Sequence, residues 1–251
     1  MTQRKVIQPQ KTAGESVYEF LKNSIIQLWL KPGQKLNIKE LTEYLKVSRA
    51  PIRDALIRLE KEGLIVSVPQ RSTTVSKIDV KRASNEFFMR LCLEEKVLDL
   101  FIDIATEAHI RRLDEFNIAQ KESRDNNDSR SFLNRDDKFH RYFYEQTDKE
   151  ICFQLLHNNT GHYNRIRLLS CMETSMLDDS IKQHEELIQY IKEKDKKSAL
   201  DSLRLHLLKV TQDVPKLTGE YPNLFIDAGA KPRQHGNIFH SDYFNTLIHP
   251  E

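Results

Sequence analysis

The spacing of apolar residues divides the chain into two parts. Up to about residue 76, short amphipathic segments alternate with turn residues and end in two runs rich in β-branched residues, which predict two strands. From about residue 80 to residue 213, apolar positions recur at helical spacing, and Gly161 is the only glycine in that stretch. This second pattern predicts a bundle of roughly six helices that follows a smaller N-terminal unit.

Residues 36–75 predict two helices joined by a tight turn and followed by a β-ribbon. Asn37 and Ser48 are placed to cap the two helices, and Pro51 falls in the first turn of the second helix, where its missing amide hydrogen costs nothing. Gly63 ends that helix, because glycine readily adopts positive φ at the position after a helix. Elements in this order predict a winged helix-turn-helix, an architecture that reads DNA.

The second of these helices carries basic side chains at the end that a helix-turn-helix places in the major groove. Arg49 and Arg53 lie one turn apart there, and arginine can form a bidentate contact with guanine. Ser48 suits a phosphate oxygen, and Lys39 can reach the backbone or an adjacent base edge. The tip of the ribbon can enter the minor groove or rest on phosphate. The predicted DNA contacts are Lys39, Ser48, Arg49, Arg53, Gln70 and Arg71.

Charge is distributed unevenly along the chain, although the formal net charge is only +2. Residues 1–78 contain 14 basic and 7 acidic residues, whereas the remainder contains 25 basic and 30 acidic residues. A basic N-terminal unit on an acidic body favours a unit that neutralises phosphates, joined to a unit with a different task.

Four residues of the predicted bundle have the chemistry of a metal site. Asp136 and His140 are four residues apart, so that they project from one face of one helix, while His184 and His206 belong to later helices. Three imidazoles and one carboxylate can hold a divalent ion with open coordination positions if the helices converge. A single histidine on an apolar helix is more often a core or surface residue, and the spacing alone leaves both readings open.

The N-terminal segment resembles the DNA-binding domain of the GntR family of bacterial transcription regulators. The motifs that carry the resemblance are Pro32-Gly33, Val47-Ser48-Arg49, Arg53-Asp54-Ala55-Leu56 and Glu62-Gly63-Leu64. The segments 136–140 and 184–206 resemble the FCD effector domain of the FadR-type subfamily. The resemblance implies a mostly α chain, with an N-terminal winged helix-turn-helix and a C-terminal antiparallel all-α helical bundle of the FCD type.

By this resemblance, the chain is a sequence-specific DNA-binding transcription regulator, most often a repressor, that binds a palindromic operator as a homodimer. The aspartate and three histidines above are the implied ligands of Zn²⁺, with Ni²⁺ or Mn²⁺ as alternatives. A small carboxylate or sugar-acid effector completes the coordination, and Arg90 and Arg165 are expected to bind its carboxylate. Arg90 can instead form an ion pair with Glu94, four residues further on.

Two other functions would use the same four metal ligands. In a metal-sensing regulator the ion itself is the signal, and DNA affinity responds to metal alone. In a metal-dependent hydrolase the ion activates water, but no general base is placed near the four ligands and a DNA-binding unit would be superfluous. We therefore expect a regulator without enzymatic activity.

The sequence divides into five expected regions. They are a mobile arm at 1–14, a winged helix-turn-helix at 15–77, a linker at 78–84, an effector and dimerisation bundle at 85–215, and an extension at 216–251. The extension lies beyond the resemblance. Its apolar residues are expected to pack on the bundle or on a partner subunit, and a flexible tail is the alternative. Three dispersed cysteines, no long apolar stretch and no signal peptide predict a cytoplasmic protein without disulfides or membrane spans.

Overall fold

The computed structural model describes residues 12–68, 71–172 and 175–226, which form two compact units divided between Ser76 and Lys77. The described elements of the first unit are α1 (Ala13–Ile26), β1 (Lys35–Leu36), α2 (Ile38–Leu45), α3 (Arg49–Lys61), β2 (Ile65–Val68) and β3 (Ser72–Val75). The strands are antiparallel in the order β1-β3-β2, with Lys35 and Val66 both opposite Thr74. The sequence did not predict β1, since a two-residue strand produces no readable pattern.

Local interactions set the bounds of the two central helices. Asn37 caps α2 by accepting a hydrogen bond from the Lys39 amide (2.9 Å), and its side-chain amide donates to Glu40 (3.0 Å). Lys46 ends α2 in the left-handed region, at φ 53°. Ser48 occupies the N-cap position of α3 with an extended backbone, but its hydroxyl makes no capping hydrogen bond, contrary to the expectation from sequence.

Packing between α1 and α3 builds the core of the first unit. Leu21 and Ile25 of α1 and Ile52 and Leu59 of α3 are fully buried. Each such side chain stabilises the fold by about 1.5–3 kcal/mol relative to exposure. The apolar stripe of α3 is therefore held in the core, and its polar face is left to solvent.

The second unit is a helical bundle. Its described elements are α4 (Val80–Ile104), α5 (Glu107–Asp125), α6 (Ser129–Gln146), α7 (Glu150–Asn159), α8 (Gly161–Cys171), α9 (Ser175–Glu193), α10 (Lys196–Gln212), α11 (Val214–Glu220) and a 3₁₀ turn (Pro222–Leu224). Every residue of α8 from 161 to 170 is buried. This helix packs against α4, α6, α9, α10 and α11, so it forms the centre of the bundle.

The segment between the two units is shorter than the linker expected at 78–84. Helix α4 begins at Val80 and is capped by Asp79, whose carboxylate accepts a hydrogen bond from the Arg82 amide (3.1 Å). The linker is therefore residues 76–79. The sequence did not reveal this because the first turn of α4 is rich in polar residues.

The polar run 124–130 contains the connection between α5 and α6, at residues 126–128. Helix α5 continues to Asp125, and α6 begins at Ser129 with Asp128 as its cap, whose carboxylate accepts a hydrogen bond from the Ser131 amide (3.0 Å). The charged ends of two helices therefore produced the loop-like composition.

The described part of the extension packs on the bundle. Leu217 is 0 % exposed and Phe225 is 1 % exposed, while residues 227–251 lie outside the described residues. Among the described residues, no helix has both the length and the apolar character needed to cross a bilayer.

Candidate functional site

The four predicted metal ligands converge in the interior of the bundle. Asp136 and His140 lie on α6, His184 on α9 and His206 on α10, and all four are buried. One ligand atom from each lies within 4.8 Å of the others. The Asp136 carboxylate lies 3.5 Å from His184 Nε2 and 3.8 Å from both His140 Nε2 and His206 Nε2.

A second layer of oxygen atoms fixes the orientation of the three imidazole rings. The pairs are His140 Nδ1 with Glu94 Oε2 (2.8 Å), His184 Nδ1 with Gln120 Oε1 (2.7 Å) and His206 Nδ1 with Gln183 Oε1 (3.1 Å). The first pair is close but not aligned as a hydrogen bond. An oxygen of this kind can only accept, so the proton of each neutral ring belongs on Nδ1. Each Nε2 is then left with a lone pair that is available to a metal.

The Nε2 atoms of the histidines lie close together around the Asp136 carboxylate. His140 Nε2 and His206 Nε2 lie 3.2 Å apart. His184 Nε2 is buried and has no hydrogen-bond partner among the described residues. Zinc binds imidazole nitrogen at about 2.0–2.1 Å and carboxylate oxygen at about 2.0–2.2 Å. The separations of 3.2 to 3.8 Å are close to those of ligand atoms around one such ion, so the residues fit a divalent cation.

Burial and charge put His184, His206 and Asp136 in the protonation states that metal binding requires. Burial lowers the pKa of His184 to about 3 and lowers that of His206 well below its usual value. Burial alone would raise the pKa of Asp136, but His140 and Arg167 outweigh it and hold that pKa well below its usual range. The site therefore combines two neutral imidazoles, those of His184 and His206, with an ionised carboxylate.

Two arginines lie beside the ligands. Arg90 donates to Glu94 (2.7 Å), as the sequence allowed, and also lies 3.9 Å from Asp136. Arg167 of α8 forms ion pairs with Asp136 (2.6 Å) and Asp137 (2.7 Å). Both guanidinium groups line two small cavities, of about 30 Å³ and about 20 Å³, that lie next to the ligands.

Arg165, which was predicted to bind the effector, does not line either of these two cavities. It is 0 % exposed, and it donates to the Gly161 carbonyl (3.2 Å) and contacts His162 Nδ1 (3.0 Å). Burial lowers its pKa to about 10, and Glu86 opposes this effect. Residues two apart on a helix face nearly opposite sides, about 200° around the axis, so Arg167 occupies the position expected for Arg165. Arg167 was not identified from the sequence, because no local pattern distinguishes it from Arg165 two residues earlier.

The predicted DNA contacts of the first unit are exposed. Arg49 and Arg53 lie in the first turns of α3, and Lys39 lies in the first turn of α2. Ser48 and Arg71 are also exposed, while Gln70 lies outside the described residues. The start of α3 therefore presents backbone amides and guanidinium groups to solvent, as a helix that binds DNA requires.

Comparison with known proteins identifies both units. Residues 13–75 match the family of bacterial regulatory proteins called the gntR family, and residues 87–209 match the FCD domain. The chain is 25% identical to the HTH-type transcriptional repressor RspR of Escherichia coli (strain K12), over 90% of this chain and 99% of that protein. It is 28% identical to an uncharacterised HTH-type transcriptional regulator in an unstable DNA locus of Streptomyces ambofaciens, over 88% of this chain and 94% of that protein.

The fold is that of a solved regulator. The structure titled E. coli McbR/YncC superposes with a TM-score of 0.71 at 21% sequence identity, over 84% of this chain and 100% of that chain. The expected fold class and family are confirmed. Because the matching families and relatives are transcriptional regulators, the hydrolase alternative is set aside. The chain belongs to the GntR family of bacterial regulatory proteins, and it is a transcriptional regulator with a GntR-type helix-turn-helix domain followed by an FCD domain.

Proposed function

We propose that this regulator is a repressor whose bundle holds a divalent cation at Asp136, His140, His184 and His206, and that a small carboxylate binds at that cation. The observation that carries the proposal is the convergence of three imidazole Nε2 atoms on one ionised carboxylate, each ring oriented by an oxygen at Nδ1. Zn²⁺ is the ion that best suits nitrogen-rich coordination of this kind, with Ni²⁺ or Mn²⁺ as alternatives.

The surroundings of the cluster favour an anionic effector. A bound cation with open positions attracts oxygen donors, and Arg90 and Arg167 add two guanidinium groups at the same cavities. Tyr163 lines the larger cavity, and its buried hydroxyl has no hydrogen-bond partner among the described residues. A carboxylate would bind the cation with one end, while an arginine or the tyrosine hydroxyl would bind the rest of the molecule.

The exposed basic start of α3 supports the assignment of DNA contacts. We assign base recognition to Arg49 and Arg53, and backbone contacts to Lys39, Ser48 and the ribbon tip at Gln70 and Arg71. A homodimer would place two such helices on a palindromic operator. The repressor assignment is supported by RspR, which is named a repressor.

One observation favours a second candidate function, a metal sensor. The cavities of about 30 Å³ and about 20 Å³ each hold roughly one water molecule, so an organic effector needs side chains to move aside. If the ion itself is the signal, no such space is required. The two functions differ in whether DNA affinity changes with metal alone.

Metal content and thermal melting test the proposal. The purified chain is analysed for bound metal, and its melting temperature is then measured with Zn²⁺, with a chelator, and with a panel of small carboxylates and sugar acids. We expect about one metal ion per chain, a loss of stability on chelation, and stabilisation by an acid only in the metal-loaded chain.

A matched pair of histidine variants provides the control. His206→Ala removes one ligand and is expected to abolish metal binding, whereas His109→Gln alters a half-exposed histidine at the start of α5 and preserves a capping residue. Metal retained in His206→Ala at the wild-type stoichiometry would overturn the site. Operator affinity that follows Zn²⁺ alone, with no effect of any acid, would select the metal sensor.

A further inference from the structure

The linker at residues 76–79 is fixed to the bundle by the C-terminal segment of the described chain. The Ile78 amide donates to the Leu224 carbonyl (2.8 Å), and the Ile226 amide donates to the Ile78 carbonyl (3.0 Å). These bonds form a parallel bridge between Ile78 and Phe225, which are 0 % and 1 % exposed. Both backbone polar groups of one linker residue are therefore bound by a segment about 150 residues away in sequence.

The next linker residue is held by the central helix. The Asp79 amide donates to His162 Nδ1 (2.9 Å) in the first turn of α8. Five residues further along the same helix, Arg167 forms its ion pair with the metal-site residue Asp136. One buried helix thus contacts the linker at one end and the candidate metal site nearer its other end.

The C-terminal segment is itself attached to that helix. Ser170 of α8 donates a hydrogen bond to the carboxylate of Asp213, which directly precedes α11. Helix α11 packs on α8 and α10, and the chain then reaches the linker at Leu224. Helix α8 is therefore connected to the linker in two ways. One is the direct hydrogen bond between Asp79 and His162, and the other runs through α11 and residues 224–226. A displacement of α8 would strain the linker through both connections.

We propose that residues 221–226 form a linker clamp, which holds the chain leading to the DNA-binding unit against α8 and makes its position depend on the metal site. The segment lies beyond the FCD match at 87–209, so this device is separate from the features that define that domain. The dependence on metal rests on the function proposed above, whereas the clamp itself rests only on the contacts of Ile78 and Asp79.

The clamp is tested with two variants at one exposed position. Ile226→Pro removes the amide that donates to Ile78, whereas Ile226→Ala keeps it, and the Ile226 side chain is 46 % exposed. Phe225 has an extended backbone (φ −106°, ψ 153°), as the residue before a proline prefers. The pair therefore isolates one backbone hydrogen bond, without the cavity that Phe225→Ala would create.

Trypsin cleavage after the exposed Lys77, followed by mass spectrometry on the full chain, reports opening of the linker. Cleavage requires Ile78 and Asp79 to leave their hydrogen bonds, so its rate follows local opening. Without metal, we expect Ile226→Pro to be cleaved about threefold to tenfold faster than wild type, and Ile226→Ala to match wild type. Hydrogen exchange of the Ile78 amide should rise in the same variant. Equal cleavage and exchange in all three chains would overturn the clamp.

The dependence on the metal site is tested in the same assay with Zn²⁺ alone. We expect Zn²⁺ to slow cleavage after Lys77 in wild type and in Ile226→Ala, and to have little effect in Ile226→Pro although that chain still binds the ion. Bound Zn²⁺ without any change in wild-type cleavage would overturn the coupling and leave the proposed metal site standing. A chain that binds no Zn²⁺ would overturn the proposed function and the coupling, while the metal-free comparison still decides the clamp.

Discussion

Asp136 and Asp137 are adjacent carboxylates that both pair with Arg167, but only Asp136 belongs to the metal cluster. Replacing each by asparagine therefore separates the role of the cluster from that of the arginine. Asp136 is 5 % exposed and contacts two arginines and three histidines, so Asp136→Asn leaves buried cations without their shared anion. Removing one partner of a buried pair costs about 3–5 kcal/mol. The side chain of Asp137 is 27 % exposed, so Asp137→Asn should cost about 1 kcal/mol or less.

Metal adds a second difference between the two variants. At a Zn²⁺ concentration about 100 times its Kd, binding stabilises the native state by about 2.7 kcal/mol. This contribution should be present in wild type and in Asp137→Asn, and it should be absent in Asp136→Asn. In a unit of this size, 1 kcal/mol shifts Tm by roughly 2–4 °C. In chelator, Asp136→Asn should therefore melt about 6 °C or more below wild type, and the gap should widen with Zn²⁺.

Differential scanning calorimetry with and without chelator, together with metal analysis, measures both effects. The reasoning is refuted if Asp136→Asn binds Zn²⁺ at the wild-type stoichiometry and gains as much stability from it. Equal destabilisation by both asparagine variants, with metal binding intact in both, would assign the two carboxylates a common role as arginine partners only.

Three further outcomes follow from the same structure. In chelator, the free energy of unfolding should fall as the pH drops from about 6.5 towards 3, because His184 stays neutral when folded while His184 of the unfolded chain takes up a proton. Urea titrations measure this free energy, and it should fall less with pH in His184→Gln. Arg49→Ala should cost roughly 1–3 kcal/mol of discrimination at one operator base pair, measured by competition binding. Lys61→Ala, at the far end of α3, should leave sequence preference unchanged. If Arg49→Ala weakened binding to all DNA equally, Arg49 would contact the backbone instead. Arg167→Met should reduce the stabilisation of the Zn²⁺-loaded chain by carboxylates. Arg165→Met should change the melting temperature itself, but not the increase in melting temperature that the acid produces. The reverse result would restore Arg165 as the effector residue.

Features that depend on neighbouring residues were predictable from the sequence. Asn37 caps α2 as expected, because a cap involves a side chain and an amide only two residues away. The spacing of Asp136 and His140 likewise placed both on one face of α6. The helical period identified the bundle, although the polar ends of α5 and α6 resembled a loop in composition.

Features that depend on the partner of a side chain were not predictable. Ser48 has the residue type and position of a cap, yet its hydroxyl makes no capping hydrogen bond. Arg165 and Arg167 are chemically identical, and only the packing of α8 decides which one contacts Asp136. The bridge between Ile78 and Phe225 was not predictable either, because it joins segments that no local pattern connects.

By itself, the sequence determined the family, the winged helix-turn-helix, the helical bundle and the chemical identity of the four candidate ligands, since motifs and periodicity are local properties of the chain. The tertiary structure decided that three imidazoles and a carboxylate converge, that Glu94, Gln120 and Gln183 orient the rings, and that a C-terminal segment holds the linker. Convergence is set by the packing of helices that are far apart in sequence, and that packing minimises the free energy of the whole bundle rather than of any one segment.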